Sequence, residues 1–513
     1  MILYLTNLLC DNTILSLVIV CTFIYYYTTS TYDTWRKLNV PYAKPVPIFG
    51  NIFKMFTGLE HQVDTFGRIY KQFPDNKFCG FYQMSTPFLM IRDPELINTM
   101  LVKDFSYFTD HGIDVNPLVN IMARSLFFAT GQKWKIMRQK LSLGFTSSKL
   151  KGTHEQIQEC SDQLIDCIRE KSKITEGIEI HELVGNSATD VIGTCAFGMK
   201  LDTIYNDNSS FRKNVKKLFK PSGKVIFLQI LEVLFPKIIK FLKLQTSPVD
   251  IDAINFFHSV FGEVIEYRTK NNVVRNDLTQ TLMKARQDLV INSDYKGEEK
   301  YCELDIIANA MLLFSAGSET VTATASFCFY ELALNKNIQD RLRAEIISSQ
   351  IKYGKQFNNE FLEDLHYADM VLDETHRKYT IITALLRGAT QNYKVPGESL
   401  IIEKGQKILI PIHSIHHDPK YYPNPHIFNP ERFTAEEKSK RPSGTFLPFG
   451  DGLRHCIGKR FAELELKIIL SKILSKFEIT PCEKTEIPLK MKKERGIISP
   501  KNGIWLSFRP IVN

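Results

Sequence analysis

The stretch Phe449-Gly450-Asp451-Gly452-Leu453-Arg454-His455-Cys456-Ile457-Gly458 decides how this chain is read. Beyond it, apolar residues recur three and four apart, with Phe461, Leu464 and Ile468 on one stripe and Leu466, Leu470, Ile473 and Phe477 on another. That spacing predicts a helix from Ile457 onward, buried over much of its circumference. Cys456 then stands at a helix N-terminus, where unpaired N–H groups and the positive end of the dipole favour a thiolate. Gly452 permits a tight turn, and Gly458 has no Cβ to keep a flat macrocycle from the sulfur. Phe449 is placed to shield the sulfur from water. Arg454 is placed to reach a carboxylate with charge-assisted hydrogen bonds. These are the parts that hold a haem by a thiolate, a ligand that pushes electron density onto iron and favours O–O cleavage. Two plainer readings compete. Cys456 as one more buried core cysteine is opposed by the five spaced constraints around it. His455 is a rival axial ligand by chemistry, but reads as a loop or surface histidine.

The 513 residues suffice for one large domain or two to three ordinary ones. A hydrophobic content of 44%, with 35 Phe and 20 Tyr, suits a protein that encloses a large apolar cofactor. The net charge of +9 fits an anionic membrane surface or an acidic partner better than nucleic acid, for which there is no motif. Ten cysteines without a C-x-x-C point to a reducing compartment. In that setting the sequon Asn208-Ser209-Ser210 stays unmodified. No G-x-G-x-x-G follows a strand, so the chain has no nicotinamide or flavin site of its own.

An apolar segment runs from Ile14 to Tyr27, behind a second patch at Met1 to Cys10. Arg36 and Lys37 follow it and no basic residue precedes it, which places the C-terminal side in the cytosol. Without a charged n-region, and with Tyr25, Tyr26 and Tyr27 at its end, it reads as an uncleaved signal anchor over residues 1–30 rather than a cleaved signal. Residues 31–52, with Pro41-Tyr42-Ala43-Lys44-Pro45-Val46-Pro47-Ile48-Phe49-Gly50, predict a stiff proline-rich hinge. Residues 53–513 predict one mainly α catalytic domain with a minor β part, such as the run Lys407 to Pro411.

Three further constellations carry chemistry. An apolar pattern from Leu304 to Leu334 exceeds an ordinary globular helix. At its middle lies Ala316-Gly317-Ser318-Glu319-Thr320. Small Ala316 and Gly317 allow a flat group close to the backbone. Glu319 and Thr320, an acid and a hydroxyl in an apolar stretch, point to a proton path. Glu374 and Arg377 share a helix face, and Pro430-Glu431-Arg432-Phe433 follows later. Trp134 and Arg138 stand four apart behind Gly131-Gln132-Lys133, and Arg387 ends Leu385-Leu386-Arg387.

Together these stretches resemble the cytochrome P-450 superfamily: F-x-x-G-x-R-x-C-x-G, A-G-x-E-T, E-x-x-R, P-E-R-F and W-x-x-x-R. The resemblance covers residues 31 to 513. It extends to insect microsomal family-6 members, which oxidise dietary toxins and insecticides. That likeness rests on Lys140-Leu141-Ser142 through Lys149, Arg275-Asn276-Asp277-Leu278, His416-His417-Asp418-Pro419 through Pro423, and Pro500-Lys501-Asn502-Gly503. It implies the cytochrome P-450 fold, with a long central helix, haem between helices, a small β-rich region and an N-terminal membrane anchor. It implies heme b, with Cys456 as the axial thiolate. Thr320 would bond the oxygen being activated, Glu319 would relay protons, and Ala316 would lie against the haem. Trp134 and Arg138 would reach one propionate, and Arg387 would pair with a propionate. Glu374, Arg377 and Arg432 would form a buried structural network. Two positions depart from the pattern: Val321 where many relatives have Thr or Ser, and Thr380 where relatives often have Pro.

The resemblance further implies a monooxygenase that inserts one atom of O2 into a lipophilic small molecule, either a xenobiotic or an endogenous lipid or hormone. Electrons would come from NADPH through a flavoprotein reductase, aided by a cytochrome b5-like haem protein. The enzyme would sit on the cytosolic face of the endoplasmic reticulum membrane. Lys133, Lys135, Lys140, Lys459 and Arg460 are candidates for a basic docking patch. Pocket candidates are Phe108, Val115, Leu118, Phe127, Phe128, Phe314, Ile381 to Leu385, Ile497 and Ile498. The alternatives are a haem-thiolate isomerase or dehydratase acting on peroxides, and a non-enzymatic haem-binding protein. The acid–hydroxyl pair Glu319-Thr320 argues against the first, and NADPH-dependent turnover separates them.

Overall fold

The computed structural model describes the chain except Met1, Asp114, residues 116–119, Asp207, and residues 220–230, 232–249, 292–301, 355–356, 494–495 and 512–513. The helices that concern the site are α1 (Ile2–Thr29), α2 (Gly131–Ser142), α3 (His154–Ile174), α4 (Ile180–Phe197), α5 (Ser210–Phe219), α6 (Ile251–Lys270), α7 (Glu303–Leu334), α8 (His366–Lys378), α9 (Ile412–His416) and α10 (Lys459–Leu474). The strands are β1 (Phe78–Gln83), β2 (Thr86–Ile91), β3 (Ile178–Glu179), β4 (Leu385–Gly388), β5 (Tyr393–Lys394), β6 (Ile401–Ile402), β7 (Lys407–Ile410), β8 (Phe477–Pro481) and β9 (Trp505–Pro510). A four-stranded sheet runs β1-β2-β7-β4, a three-stranded one β3-β9-β8, and β5 pairs with β6. β1 and β2 form an antiparallel hairpin with Phe78 opposite Ile91, β7 joins β2 in parallel, and β4 closes antiparallel on β7. The mainly α expectation with a minor β part is met.

α7 is apolar on all sides, and a helix of that kind belongs inside a protein. Between Asp305 and Ala333 nearly every residue is buried. Its length and composition alone would let it cross a membrane, but it is the core helix, with α4, α8, α10 and β8 packed around it. Gly317 serves that packing. A Cβ there would stand 2.9 Å from Ile192 Cδ1 of α4, so the glycine lets α4 approach rather than a flat ligand. The start of α7 is anchored by Asp305, which is fully buried and accepts from Cys302 N at 2.7 Å. It also pairs with Lys133 Nζ at 3.0 Å and Arg124 at 3.6 Å.

Two terminal features differ from expectation. The apolar patches before and after Asp11-Asn12 belong to one 28-residue helix, α1, about 42 Å long at 1.5 Å per residue. The stretch expected as a stiff hinge is packed against the domain. Trp35 is 1% exposed, donates from Nε1 to Phe81 O at 3.2 Å, and lies so close to Gly80 that a Cβ there would clash. Gly80 exchanges backbone hydrogen bonds with Pro41 and Ala43. Burying an indole against β1 outweighs what a solvated spacer would gain.

Candidate active site around Cys456

The cysteine loop is shaped by its glycines. Gly450 and Gly452 have φ of +69° and +68°, and a Cβ on Gly452 would sit 1.8 Å from Leu101 O, so only glycine fits there. Asp451 Oδ1 accepts from Gly452 N at 2.7 Å, and Cys456 N–H donates to Phe449 O at 2.8 Å. The Phe449 ring lies 5.0 Å from that of His376 and under the Lys459 ammonium. α10 begins at Lys459 rather than Ile457, so Cys456 precedes its first residue by three. Cys456 lies deep among protein atoms yet is open on one side, as a residue lining an internal hollow is. Burial pushes its thiol up, and the Gly458 N–H and Arg138 only partly offset this. The sulfur is therefore not a ready-made thiolate. A bound metal ion is what deprotonates such a thiol. A Cβ on Gly458 would meet only ordinary contacts, at 3.9 Å from Phe145 and 4.0 Å from the sulfur. His455 has both ring nitrogens engaged on protein, Nδ1 with Gly452 O at 2.6 Å and Nε2 with Arg138 at 3.3 Å, which removes it as a rival ligand.

α7 is accessible along one stripe. Ala316 is the only exposed residue between Asp305 and Ala333, and Leu312 and Thr320, four residues to either side, are half-buried. Residues four apart share a helix face. Thr320 Oγ1 donates to Ala316 O at 2.7 Å, which leaves its lone pairs toward that accessible side. Leu312 belongs to no motif; only its i, i+4 relation to Ala316 marks it in the sequence. Phe314 is corrected. It stands two residues from Ala316, on the other side of α7, fully buried against Phe197, Phe211, Phe257 and Phe261. Glu319 does not reach toward bulk water as an open relay. Its carboxylate is ion-paired with Arg212 of α5, itself 4% exposed.

The expected anion clamp is rearranged. Arg454 spends its guanidinium on protein: on the carbonyls of Thr109 (2.7 Å), Leu126 (3.2 Å), Phe127 (3.3 Å) and Ala129 (2.6 Å), with Asp110 at 3.6 Å. It stacks 4.2 Å above the Trp134 ring. Arg454 thus ties Thr109 and Leu126, Phe127 and Ala129 to the cysteine loop. Trp134 is 5% exposed and serves as its platform.

Arg387 is different. It is 2% exposed, gives Nη1 to His111 Nδ1 at 3.1 Å and to Leu386 O, and leaves Nε and Nη2 without a hydrogen-bond partner among the described residues. Buried donors left so are costly unless something else fills them. His111 lies stacked on Phe127 at 4.4 Å and is pushed down to about 3, by burial first and then by Arg387 and Arg454. It therefore adds no positive charge. No motif pointed to His111; only the fold brings it to Arg387. Burial pushes Arg387 down to about 10 and Arg454 to about 9, with Asp110 opposing the latter. A guanidinium does not release its proton at those values under ordinary conditions, so both remain charged. Arg387's remaining donors suit a carboxylate, the accessible sulfur of Cys456 suits a metal, and small Ala316 would let a flat group lie close to α7.

The family model for Cytochrome P450 matches residues 40–508. The chain belongs to the cytochrome P450 family. Cytochrome P450 6k1 of Blattella germanica is 35% identical over 98% of this chain and 97% of the relative. Probable cytochrome P450 6a13 of Drosophila melanogaster is 35% identical over 93% and 94%, and cytochrome P450 6B2 of Helicoverpa armigera 34% identical over 95% and 96%. As a P450 it is a haem-thiolate oxidoreductase that incorporates oxygen.

In this P450 Glu374, Arg377 and Arg432 lie together. Glu374 and Arg377, both fully buried, pair through two contacts at 2.6 and 2.8 Å. Arg377 also donates to His416 O (3.0 Å) and Pro425 O (2.8 Å). Asn429 N–H donates to Glu374 at 2.8 Å, and Arg432 approaches the same oxygen at 3.5 Å, an ion-pair distance without hydrogen-bond alignment.

The pocket candidates divide. Phe108 is fully buried against Tyr393 in a second core under the four-stranded sheet, which sets it apart from a lining role. Ile381 and Ile498 are buried in the main core, with Ile497 packed beside it. Leu385 is half-buried with its methyl groups near Gly450. Phe127 is 41% exposed, Phe128 and Val115 are half-buried, and Leu118 lies outside the described residues.

Proposed function

We propose that this P450 inserts one oxygen atom of O2 into a lipophilic small molecule, with Cys456 as axial ligand of heme b. The observation that carries the reading is the accessible sulfur of Cys456 in its glycine-shaped loop, beside an accessible Leu312-Ala316-Thr320 stripe on an otherwise buried central helix. Thiolate-bound haem supplies the oxygen activation. The chain's residues supply the rest. Arg387, with two free donors, holds a carboxylate arm. Arg138, bonded to His455 beside the sulfur, faces the same region. Thr320 holds a proton on Oγ1, shared with Ala316 O, that it can turn toward the accessible side of α7. When its pair with Arg212 opens, the Glu319 carboxylate can take a proton from solvent and pass it on toward that hydroxyl. Apolar Leu312, Phe127 and Leu385 favour a lipophilic guest and exclude water.

Within the same reading, electrons come from NADPH through a flavoprotein reductase, assisted by a cytochrome b5-like protein. The docking patch is narrower than the sequence implied. Lys133 is drawn inside by Asp305, while Lys135 and Arg460 are exposed, Lys459 is exposed beside Glu463 at 3.7 Å, and Lys140 is half-buried. α1, with exposed Ile14 to Tyr27, is long enough to anchor the enzyme in the endoplasmic reticulum membrane, and residues 31–513 stand on the cytosolic face. Plant toxins, insecticides and endogenous lipids or hormones all fit such a guest.

The test is the carbon monoxide difference spectrum of the reduced protein with Cys456→Ser beside it, followed by turnover with reductase with and without NADPH. The strongly red-shifted band is expected in the wild type and absent in the variant, and turnover should require NADPH. A shorter-wavelength band in the wild type, or turnover of peroxides alone, would overturn the reading.

A further inference from the structure

Thr380 stands two residues beyond the end of α8. The hydroxyl is used. Thr380 is 1% exposed, and its Oγ1 lies 3.0 Å from Arg377 O and 3.0 Å from His416 Nδ1. His416 is fully buried between the rings of Phe446 and Tyr422, and its Nε2 lies 3.0 Å from Leu447 N. These contacts settle every proton. Leu447 N–H can only donate, so Nε2 is the bare nitrogen and Nδ1 carries the hydrogen. That hydrogen is given to Thr380 Oγ1. The Thr380 O–H then satisfies the Arg377 carbonyl at the end of α8. A proline could neither accept nor donate here.

Leu447 opens the cysteine loop. Its carbonyl receives Gly450 N–H at 3.1 Å, and the Phe449 carbonyl receives Cys456 N–H at 2.8 Å. An unbroken run of hydrogen bonds therefore leads from the end of the Glu374–Arg377 helix through His416 to the cysteine. The backbone of His416 is held as well, since its carbonyl takes Arg377 Nη1 at 3.0 Å. We propose that Thr380 and His416 are positioning residues that fix the cysteine loop, Thr380 by holding the His416 ring in its Nδ1–H form so that Nε2 grips Leu447 N–H. His416 is buried near His376, His417 and Arg377, and burial followed by those charges keeps it neutral, as this arrangement needs.

The inference rests on Cys456 being the haem ligand, and its test separates the two. Full-length Thr380→Ser, Thr380→Val and Thr380→Pro are compared with wild type by the rate at which the reduced carbon monoxide complex converts from the thiolate-type band to the shorter-wavelength band on mild heating. Serine keeps the hydroxyl and should stay within about twofold of wild type. Valine keeps the shape, and it and proline should convert about fivefold faster, the factor that one net hydrogen bond represents. Equal rates for all four proteins, or serine as fast as valine, would overturn the proposal. Should the valine and proline variants not accumulate, 15N-histidine-labelled wild type decides by NMR: a proton on Nδ1 of His416 supports the proposal and one on Nε2 sinks it. Absence of a thiolate-type band in wild type would instead defeat the haem-ligand reading, and the His416 measurement would still stand on its own.

Discussion

Replacing Arg377 by methionine should cost this P450 much of its stability. Methionine fills the volume but leaves Glu374, fully buried, with only Asn429 N–H and Arg432 at 3.5 Å. Stranding one member of a buried ion pair costs ~3–5 kcal/mol. The carbonyls of His416 and Pro425 lose their donors too, each a penalty of ~1–3 kcal/mol when nothing replaces it. Even the lower limits sum to about 5 kcal/mol, comparable with the whole ~5–15 kcal/mol stability of an ordinary native protein. Arg377→Lys should fall between, since lysine restores the charge without the two-pronged geometry. The control is Arg169→Met, in an exposed pair with Asp166 that contributes little. Urea unfolding of the detergent-solubilised full chain, followed by circular dichroism and by tryptophan fluorescence, reads the difference where the two transitions coincide. An Arg377→Met protein within about 1 kcal/mol of the Arg169→Met control would refute the reasoning, because no buried charge would then have been stranded.

Arg387→Gln should release haem about 10–100-fold faster, the loss of one charge-assisted hydrogen bond of ~1.5–3 kcal/mol, read by haem transfer to excess apoglobin; an unchanged rate would place the free donors elsewhere. Phe314→Ala should destabilise by ~3–5 kcal/mol and leave the product distribution alone, since the ring fills the core, whereas Ala316→Phe should leave the melting temperature nearly unchanged and alter or abolish turnover. The reverse pattern would exchange the two faces of α7. His376 is held neutral, its pKa lowered to about 4 by burial and then by Lys459, against about 6.5 in the unfolded chain. Above pH 6.5 it is neutral in both states; as pH falls toward 4 only the unfolded chain takes up the proton, so stability declines through that window by ~3 kcal/mol and then levels off. His376→Phe should flatten the decline between pH 6.5 and 4, and an equally steep decline would assign it to other groups.

Local spacing alone determined a good deal about this protein. The glycine pattern before Cys456, the long apolar run around Ala316-Gly317-Ser318-Glu319-Thr320, and the E-x-x-R pair were legible because each is a short-range constraint. A turn demands glycine, a fully buried helix demands apolar residues on every side, and a pair three apart shares a face. Only the tertiary structure decided which partner each face met. Spacing says that Phe314 and Ala316 lie on different sides of a helix, but not which side stays accessible. That was set by an aromatic cluster drawn from α4, α5 and α6. Long cationic side chains were the least legible, because their reach lets several anions or carbonyls compete. Arg454 went to four carbonyls, Lys133 to Asp305, and Arg212, from a helix about a hundred residues earlier, to Glu319. The roles of His111 and His416 have the same origin. Their hydrogen-bond partners lie 276 and 31 residues away along the chain, and only folding brings them within 3.1 Å.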